Sequence, residues 1–270
     1  DSDNNAKRAA GSLVAATGGG VGGAVACCAA GRVTPTPKKR RRRAVPALSL
    51  PKKAGGSTLR AFRPVEDEER KLVLQASLAT AIRHEGAEYS EELVYQDRAV
   101  EKANVASREG VQAIGATNLR ALQKHKEQLA QGQWPPLHVR HDSVEGFVVE
   151  ADASIPAMTL ICEYTGDVSW ANTFELDHSD CLMDLLILDH DKEHSLTISA
   201  AKRCNIARFI SGVNNTVKEL AAKQNVKCVR YEVDGQARVL LVALRTIREG
   251  ERLYYNYNEF RQSYDTSYFV

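Results

Sequence analysis

The second half of the chain is built from short apolar runs that are typical of β-strands. Seven such runs follow residue 145, at positions 146–150, 159–164, 182–188, 195–199, 227–233, 237–244 and 253–257. Between two of them, Asp234-Gly235 is a strong signal for a type I′ hairpin, because both residue types tolerate a positive φ. The sequence REGE at 248–251 predicts another turn. We therefore predict an α+β fold that is mainly β from residue 135 onward.

The part of the chain that precedes residue 135 carries helix signals instead. From Pro64, the acidic residues 66–69 suit the positive end of a helix, apolar residues recur at positions 74, 78 and 82, and Gly86 can end it. A second helix is predicted from an Asn118 cap to about Gln131, before a glycine and two prolines. We expect a small helical region over residues 61–134.

The first 60 residues differ in composition from the rest. They carry twelve Lys and Arg against Asp1 and Asp3, which leaves 24 basic and 32 acidic residues elsewhere. Few large apolar residues occur among them, so we expect a disordered basic tail. The run PKKRRRR at 37–43 favours a nuclear import signal over a nucleic-acid contact or a solvated linker. The acidic body that remains favours a basic partner.

Cysteine usage and hydropathy set further bounds. Six cysteines occur without a CxxC pair, so we expect reduced and mostly buried thiols. No stretch approaches the roughly 20 apolar residues that span a membrane, so we expect a soluble protein without a membrane partner. The chain does not begin with Met, and we expect further sequence upstream of it.

Four segments carry the residues that point to a chemistry. The segment GERLYYNY at 250–257 places three tyrosines within four positions, which suits a slot that grips an amine and equally suits a half-buried strand. It follows EGFVVEA at 145–151, EYTGD at 163–167 and RFISGVNN at 208–215. This set, in this order, resembles the SET domain of protein lysine methyltransferases over about residues 137–270.

Within that superfamily, the sequence looks most similar to the plant trithorax-related enzymes that monomethylate the lysine at the twenty-seventh position of histone H3. RFISGVNN, the runs KCVRY at 227–231 and RVLLVA at 238–243, and the final FV carry this likeness, which extends upstream to about residue 61. The resemblance implies small curved sheets with a knot-like threaded C-terminal segment, over residues 135–270.

The same resemblance implies a nuclear enzyme that transfers one methyl group from S-adenosylmethionine to the histone H3 tail of nucleosomes and acts in chromatin silencing. No metal is implied. Relatives can carry a zinc-binding reader finger and a sliding-clamp motif, and neither is visible in this chain. Contact with a sliding clamp is therefore implied only through sequence that lies upstream of this chain.

Roles for single residues also follow from the resemblance. Tyr257 would lie closest to the reacting amine and methyl group, and Tyr164 would line the lysine channel. Tyr255 would hold the amine and a water, leaving little room for a second methyl group. Cofactor contacts are implied for Gly146, Phe147, Ser211, Gly212, Asn214, Asn215 and Tyr257. We expect residues 252–257 to lie beside residues 208–215, with Tyr254 packed in the core on the opposite face.

The sequence departs from the general family pattern at four places. GFV stands at 146–148 in place of Gly-x-Gly, Ser211-Gly212 replaces an Asn-His pair, and Asn256 stands where Asp is usual. The cysteine-rich zinc segment that often follows is missing after Tyr257. Three aromatic residues near the end of the sequence are candidates for covering the adenosyl group, or else they dock the chain end: Tyr264, Tyr268 and Phe269.

Two readings from other classes stay open at this point. HDKEH at 190–194 matches the HxxEH pattern of a zinc peptidase group, although its position between two apolar runs predicts a hairpin loop rather than a helix. His138 and His141 are predicted to lie on a strand surface. A non-catalytic SET module that binds histones is the other alternative, against which Tyr164, Tyr255 and Tyr257 together argue.

Overall fold

The computed structural model of the chain describes residues 58–104, 111–174, 181–187, 194–258 and 266–267. All of them belong to a unit that spans residues 53–270. Residues 1–57 of the predicted basic tail, with its import signal, lie outside the described residues. So do most of the HDKEH pentad and the aromatic residues of the chain end, Tyr264, Tyr268 and Phe269. The predicted end of the tail at residue 60 was wrong, because Leu59 is buried and Arg60 bridges Thr159.

The first helix, α1 (Glu68–His84), forms where the acidic cluster predicts it. Asp67 caps it by accepting a hydrogen bond from the backbone N–H of Arg70 at 2.8 Å. The face with the predicted apolar repeat is buried and packs on the strands that follow. Gly86, with φ at +65°, ends the helical region as predicted.

The N-cap of the second predicted helix, which is the third helix in the structure, was predicted three residues too late, at Asn118 instead of Gly115. The short helix α2 (Arg98–Ala103) is followed by α3 (Ala116–Ala130), and Gly115 occupies the N-cap of α3. Asn118 lies inside α3, where its Oδ1 accepts a hydrogen bond from the backbone N–H of Leu59 at 2.9 Å. The side chain therefore fixes a distant segment instead of capping the helix. Among the described residues, no helix is both long and apolar enough to cross a membrane.

The described residues form fourteen strands in five sheets. In chain order the strands are β1 (Glu88–Tyr89), β2 (Leu93–Tyr95), β3 (Gln112–Ala113), β4 (Leu137–Asp142), β5 (Gly146–Ala151), β6 (Leu160–Glu163), β7 (Gly166–Trp170), β8 (Leu182–Leu186), β9 (Leu196–Ser199), β10 (Arg203–Cys204), β11 (Ser211–Gly212), β12 (Val226–Val233), β13 (Gln236–Ala243) and β14 (Tyr254–Tyr255). A one-turn helix, α4 (Lys218–Ala221), precedes β12.

The sheets have two or four strands each, and the helical region contributes to three of them. Their orders are β3-β12-β13-β6, β2-β7-β9-β8, β4-β5, β1-β10 and β11-β14. The three short strands before residue 115 pair in parallel with strands of the second half, β1 with β10, β2 with β7 and β3 with β12. The result is the predicted α+β arrangement of small sheets.

Two turns that the sequence predicts are confirmed. Val233 pairs with Gln236 across the β12–β13 hairpin, and the residues between them, Asp234 and Gly235, have φ values of +53° and +79°. Positive φ at both positions defines the type I′ turn. At the second site, the backbone N–H of Glu251 donates to the carbonyl oxygen of Arg248 at 3.0 Å, which closes the REGE turn.

The core lies in two parts, on the two faces of the sheet that contains β6 and β13. Cys162, Leu241 and Cys228 face the larger cluster, whereas Leu160 and Leu240 face a smaller one that α3 covers with Leu122. The four cysteines of the described part are free and buried, as predicted. Burial raises the pKa of the Cys204 thiol to about 11, so this thiol is uncharged at neutral pH.

Gly166 in β7 has no room for a side chain. A Cβ there would lie 2.3 Å from the carbonyl oxygen of Ser199 and 3.1 Å from that of Arg203, at a φ of +153°. Because Asp167 pairs with Ser199 across β7 and β9, neither backbone can move away without loss of pairing. We expect Gly166→Ala to lower the free energy of unfolding by about 3 kcal/mol in urea titrations.

Gly132→Ala is the matched control for this substitution. Gly132 has a φ of +73°, but apart from its chain neighbours no heavy atom of the described residues lies within 4 Å of the added Cβ. Backbone strain alone should therefore cost about 1 kcal/mol. Equal losses for the two variants would contradict the steric explanation at Gly166.

Candidate functional site

The tyrosine segment, residues 250–257, pairs along one side with β5. The backbone N–H of Leu253 donates to the carbonyl oxygen of Val149 at 2.9 Å, and Arg252 forms an antiparallel bridge with Glu150. Since β5 begins at Gly146, the strand that carries the predicted cofactor glycine is fixed directly to the tyrosine segment.

On its other side the tyrosine segment meets residues 208–215. Strand β14 pairs in parallel with β11, and the backbone N–H of Val213 donates to the carbonyl oxygen of Tyr255 at 3.0 Å. The hydroxyl of Tyr257 donates to the carbonyl oxygen of Ile210 at 3.2 Å. The predicted proximity of the two segments is confirmed, and it places Ser211 and Gly212 one strand away from the tyrosines.

Three phenol groups converge where these segments meet. Tyr164 and Tyr255 are 1% and 2% exposed, and the rings of Tyr255 and Tyr257 lie 4.5 Å apart with a tilt of 35°. Burial raises the pKa of Tyr255 well above its usual value, and the neighbouring Tyr257 and Tyr164 add to the effect. Tyr255 is therefore neutral at physiological pH and can both donate and accept a hydrogen bond.

Tyr164 reaches this place from the end of β6. Its hydroxyl donates to the carbonyl oxygen of Cys181 at 2.9 Å, which fixes the side chain across a distance of 17 residues in sequence. The backbone N–H of Tyr164 donates to the carbonyl oxygen of Val239 at 2.8 Å. A tyrosine held at both ends in this way is a rigid wall rather than a mobile side chain.

The prediction that Tyr254 packs in the core was wrong. It does lie on the face opposite Tyr255, but that face is covered by the side chain of Lys223, whose Nζ lies 5.6 Å from the ring centroid. The ring is half-buried. Leu253, which is completely buried, takes a core position instead. Regular strand pairing extends over residues 254 and 255 and not over the predicted 253–257.

Gly146 and Phe147 follow the turn between β4 and β5. Gly146 has a φ of +76°, and apart from its own chain neighbours no heavy atom of the described residues lies within 4 Å of the position that a Cβ would occupy. The ring of Phe147 makes edge contacts with His84, His141 and Phe209, at centroid distances of 5.1, 5.2 and 6.0 Å. An open backbone beside a fixed aromatic ring leaves room for the close approach of a ligand, and the cofactor contacts of both residues stay a prediction.

Asn256 keeps the contacts that an aspartate would make at this position. Its Oδ1 accepts hydrogen bonds from Asn215 Nδ2 at 2.7 Å and from the backbone N–H of Asn258 at 2.8 Å. Both donors would bond equally well to a carboxylate oxygen. The departure from the family pattern therefore preserves the link between residues 208–215 and the tyrosine segment.

The loop around Asn214 is covered by the end of the chain. Asn214 Nδ2 donates to the carbonyl oxygen of Ser267 at 3.0 Å, and the backbone N–H of Asn215 donates to Thr266 Oγ1 at 3.1 Å. Thr266 is 2% exposed. The C-terminal segment thus docks on predicted cofactor residues, and the role of the aromatic residues near it stays a prediction.

The histidines named from the sequence do not form a metal centre within the described residues. Strands β8 and β9, which flank the HDKEH pentad, pair antiparallel, and His194 packs its ring against Trp170 at 5.9 Å. His138 and His141 lie on β4, with His141 exposed, as predicted. No group of three His, Cys, Asp or Glu side chains able to hold a metal ion occurs in the described ranges.

Sequence reasoning missed two arginines that organise the site. Arg208 donates to the carbonyl oxygens of Ala200 and Ala201 at 2.6 and 2.9 Å and pairs with Glu85 at 2.8 Å, which anchors the segment that leads into β11. Arg252 bonds to Asp142 and Glu145, which lie 110 and 107 residues away in sequence. No local pattern connects residues so far apart.

Comparisons with known proteins agree with this geometry. The SET domain family model matches residues 146–258. Histone-lysine N-methyltransferase ATXR6 of Arabidopsis thaliana is 44% identical over 212 residues, which cover 77% of this chain and 61% of ATXR6. ATXR5 of the same plant is 42% identical over 210 residues, with 77% and 55% covered. The chain thus spans less than two thirds of the length of these curated relatives.

Similarity to solved structures covers the same region. The crystal structure of ATXR5 in complex with histone H3.1 mono-methylated on its twenty-sixth residue, an arginine, matches with a TM-score of 0.75 and 44% sequence identity. The match covers 78% of this chain and 100% of that chain. A second ATXR5 SET domain structure, in complex with histone H3 di-methylated on the same arginine, matches equally well.

Proposed function

Since the chain belongs to the SET-domain family, in the group of the histone-lysine methyltransferases ATXR5 and ATXR6, we propose that it methylates a lysine of histone H3. One observation carries the proposal. Three phenols, Tyr164, Tyr255 and Tyr257, meet where the tyrosine segment is paired on one side with β5 and on the other with β11. The same strands hold the predicted cofactor residues.

The chemistry asks for a neutral amine. A lysine side chain has a pKa of about 10.4, so about one part in a thousand is neutral at pH 7.4. A slot walled by the almost fully buried Tyr164 and Tyr255 excludes water and disfavours the ammonium form. The phenol oxygens can accept a hydrogen bond from the amine and orient its lone pair.

The cofactor that fits this arrangement is S-adenosylmethionine, which supplies an electrophilic methyl group when bound. We propose that it is held by the residues that adjoin the tyrosines on both sides, namely Gly146, Phe147, Ser211, Gly212, Asn214, Asn215 and Tyr257. Gly146 supports this assignment through its open backbone, and Asn214 through its buried position under the chain end. Tyr257 would touch both cofactor and amine.

We further propose that the product is monomethylated lysine at the twenty-seventh position of the H3 tail, formed on nucleosomes in the nucleus and serving chromatin silencing. Two observations support this. The solved relatives carry histone H3 in their complexes, and the buried Tyr255 leaves a phenol oxygen beside Tyr257, which limits the space around the amine.

A methyl-transfer assay tests the proposal directly. Radiolabelled S-adenosylmethionine and the purified chain should label recombinant H3 nucleosomes and an H3 tail peptide. A peptide with arginine at the twenty-seventh position should stay unlabelled. Label that persists on this peptide would move the target to another lysine. Binding of H3 without any transfer would overturn the enzymatic proposal in favour of a histone-binding module.

A further inference from the structure

The side chain of Arg252 connects the tyrosine segment with the turn that precedes Gly146. One guanidinium nitrogen donates to Glu145 Oε1 at 2.6 Å, and the other terminal nitrogen donates to Asp142 Oδ2 at 2.8 Å. Both carboxylates belong to the turn between β4 and β5. We call Arg252, Asp142 and Glu145 the arginine clamp.

Asp142 also shapes the turn itself. Its second carboxylate oxygen, Oδ1, accepts hydrogen bonds from the backbone N–H groups of Val144 at 2.8 Å and Glu145 at 3.0 Å. The bond from Arg252, followed by these two backbone bonds, holds the pKa of Asp142 well below its usual range. The carboxylate that Arg252 orients is therefore the one that orients the turn, and it is charged at neutral pH.

The clamp is better shielded from solvent than the ion pairs that Arg140 and Arg245 make beside it. The side chains of Arg252, Asp142 and Glu145 are 20%, 29% and 18% exposed. Arg140 and Arg245, which pair with Glu150 and Glu251, are 60% and 46% exposed. Charge-assisted bonds that are partly removed from water contribute more than exposed ones. Of these three sets of ion pairs, the clamp is thus the one whose removal is expected to change the geometry of the turn.

Backbone pairing alone does not explain the need for this side chain. The tyrosine segment is already joined to β5 through Leu253 and Val149. The turn at 143–145 lies beyond that bond, at the tip of the β4–β5 hairpin, directly before Gly146. The guanidinium group therefore contacts the residues at this tip that lead directly into Gly146 and Phe147.

We propose that Arg252 is a positioning residue for the cofactor. It fixes the turn in the orientation in which Gly146 and Phe147 meet S-adenosylmethionine, and it couples the cofactor turn to the tyrosine segment. The inference rests on the proposed function, which assigns the cofactor to these residues. It adds a residue whose role is exerted through Asp142 and Glu145.

The experiment measures cofactor affinity and turn order separately. We expect Arg252→Ala to weaken S-adenosylmethionine binding in calorimetry about tenfold and to raise its KM equally, with kcat at saturating cofactor changed less than about twofold. Amide hydrogen exchange at Val144 and Glu145 should become faster in the cofactor-free protein. The cofactor affinity of Arg252→Lys should fall between those of the wild type and Arg252→Ala, because an ammonium group cannot bond both carboxylates in fork geometry.

Arg245→Ala is the matched control, because it removes an arginine–carboxylate pair that does not touch the turn. It should leave cofactor affinity unchanged. A double-mutant cycle with Glu145→Gln should show coupling, since the second substitution costs little once Arg252 is gone. Should Arg252→Ala fail to fold, Arg252→Lys and Glu145→Gln carry the same measurements.

The outcomes separate the inference from the proposed function. Unchanged affinity and unchanged exchange in the Arg252 variants would overturn the clamp, as would a loss confined to kcat. A wild-type chain that does not bind S-adenosylmethionine would overturn the proposed function instead. In that case faster exchange in Arg252→Ala would still show the clamp in the fold, whereas its cofactor role would be refuted.

Discussion

Tyr257→Phe is expected to reduce methyl transfer to histone H3 by about a thousandfold at saturating cofactor. The hydroxyl of Tyr257 donates to the carbonyl oxygen of Ile210 at 3.2 Å, which fixes the phenol oxygen beside the proposed cofactor segment. Phenylalanine keeps the ring contact with Tyr255 but removes the oxygen that would orient amine and methyl group. Initial rates with a radiolabelled methyl donor measure the loss.

Tyr254→Phe is the control for this substitution, since it removes a hydroxyl from the opposite face of the same segment, where the hydroxyl interacts with Arg252 and not with the other tyrosines. Its rate at saturating cofactor should stay within about twofold of the wild type. Thermal unfolding should show that both variants remain folded. A loss below tenfold in Tyr257→Phe, or equal losses in the two variants, would contradict a direct role of the Tyr257 hydroxyl.

The parts of the fold that the sequence predicted well are those that depend on near neighbours. Helix α1 follows from its acidic first turn and an apolar repeat of four, and the β12–β13 hairpin follows from Asp234-Gly235. In each case the residues that decide the structure are adjacent in sequence. Asn118 was predicted wrongly because its partner, Leu59, lies 59 positions away and competes with the capping role.

The candidate site also has features that the sequence predicted and features that it did not. Its segments were found through their family order, which also led to the confirmed pairing of β11 with β14. Neither the cover over Tyr254 nor the partners of Arg252 could be inferred, because each depends on how distant segments pack. Charged side chains suit many partners, so sequence alone does not choose between Asp142, Glu145 and the other carboxylates of an acidic body.

The departures from the family pattern gain a physical explanation from the same contacts. Asn256 serves as an acceptor for Asn215, as a carboxylate would, so its amide nitrogen is the part that differs. Thr266 and Ser267 bond to Asn215 and Asn214, which gives the loop a cover made by the chain itself. This loop is thus covered by residues that carry no cysteine, namely Thr266 and Ser267.

Tyr255→Phe is expected to change the product rather than abolish the reaction, making dimethylated lysine a major product. Tyr255 is 2% exposed and its ring lies 4.5 Å from that of Tyr257, so its phenol group occupies buried space beside Tyr257. Without the oxygen, a lysine that already carries one methyl group gains room to turn and present its lone pair again. Mass spectrometry of H3 tail peptides over time measures the change.

A comparison of two substrates makes this test sharper. The wild type should act on an unmodified H3 peptide and turn over a monomethylated one at least about tenfold more slowly, whereas Tyr255→Phe should bring the two rates within about threefold. The hydroxyl of Tyr164 bonds to Cys181, which holds the opposite wall in place, so the added room arises at position 255 alone. An unchanged product distribution would show that Tyr255 does not limit methylation, and the monomethylation proposal would then need another residue to support it.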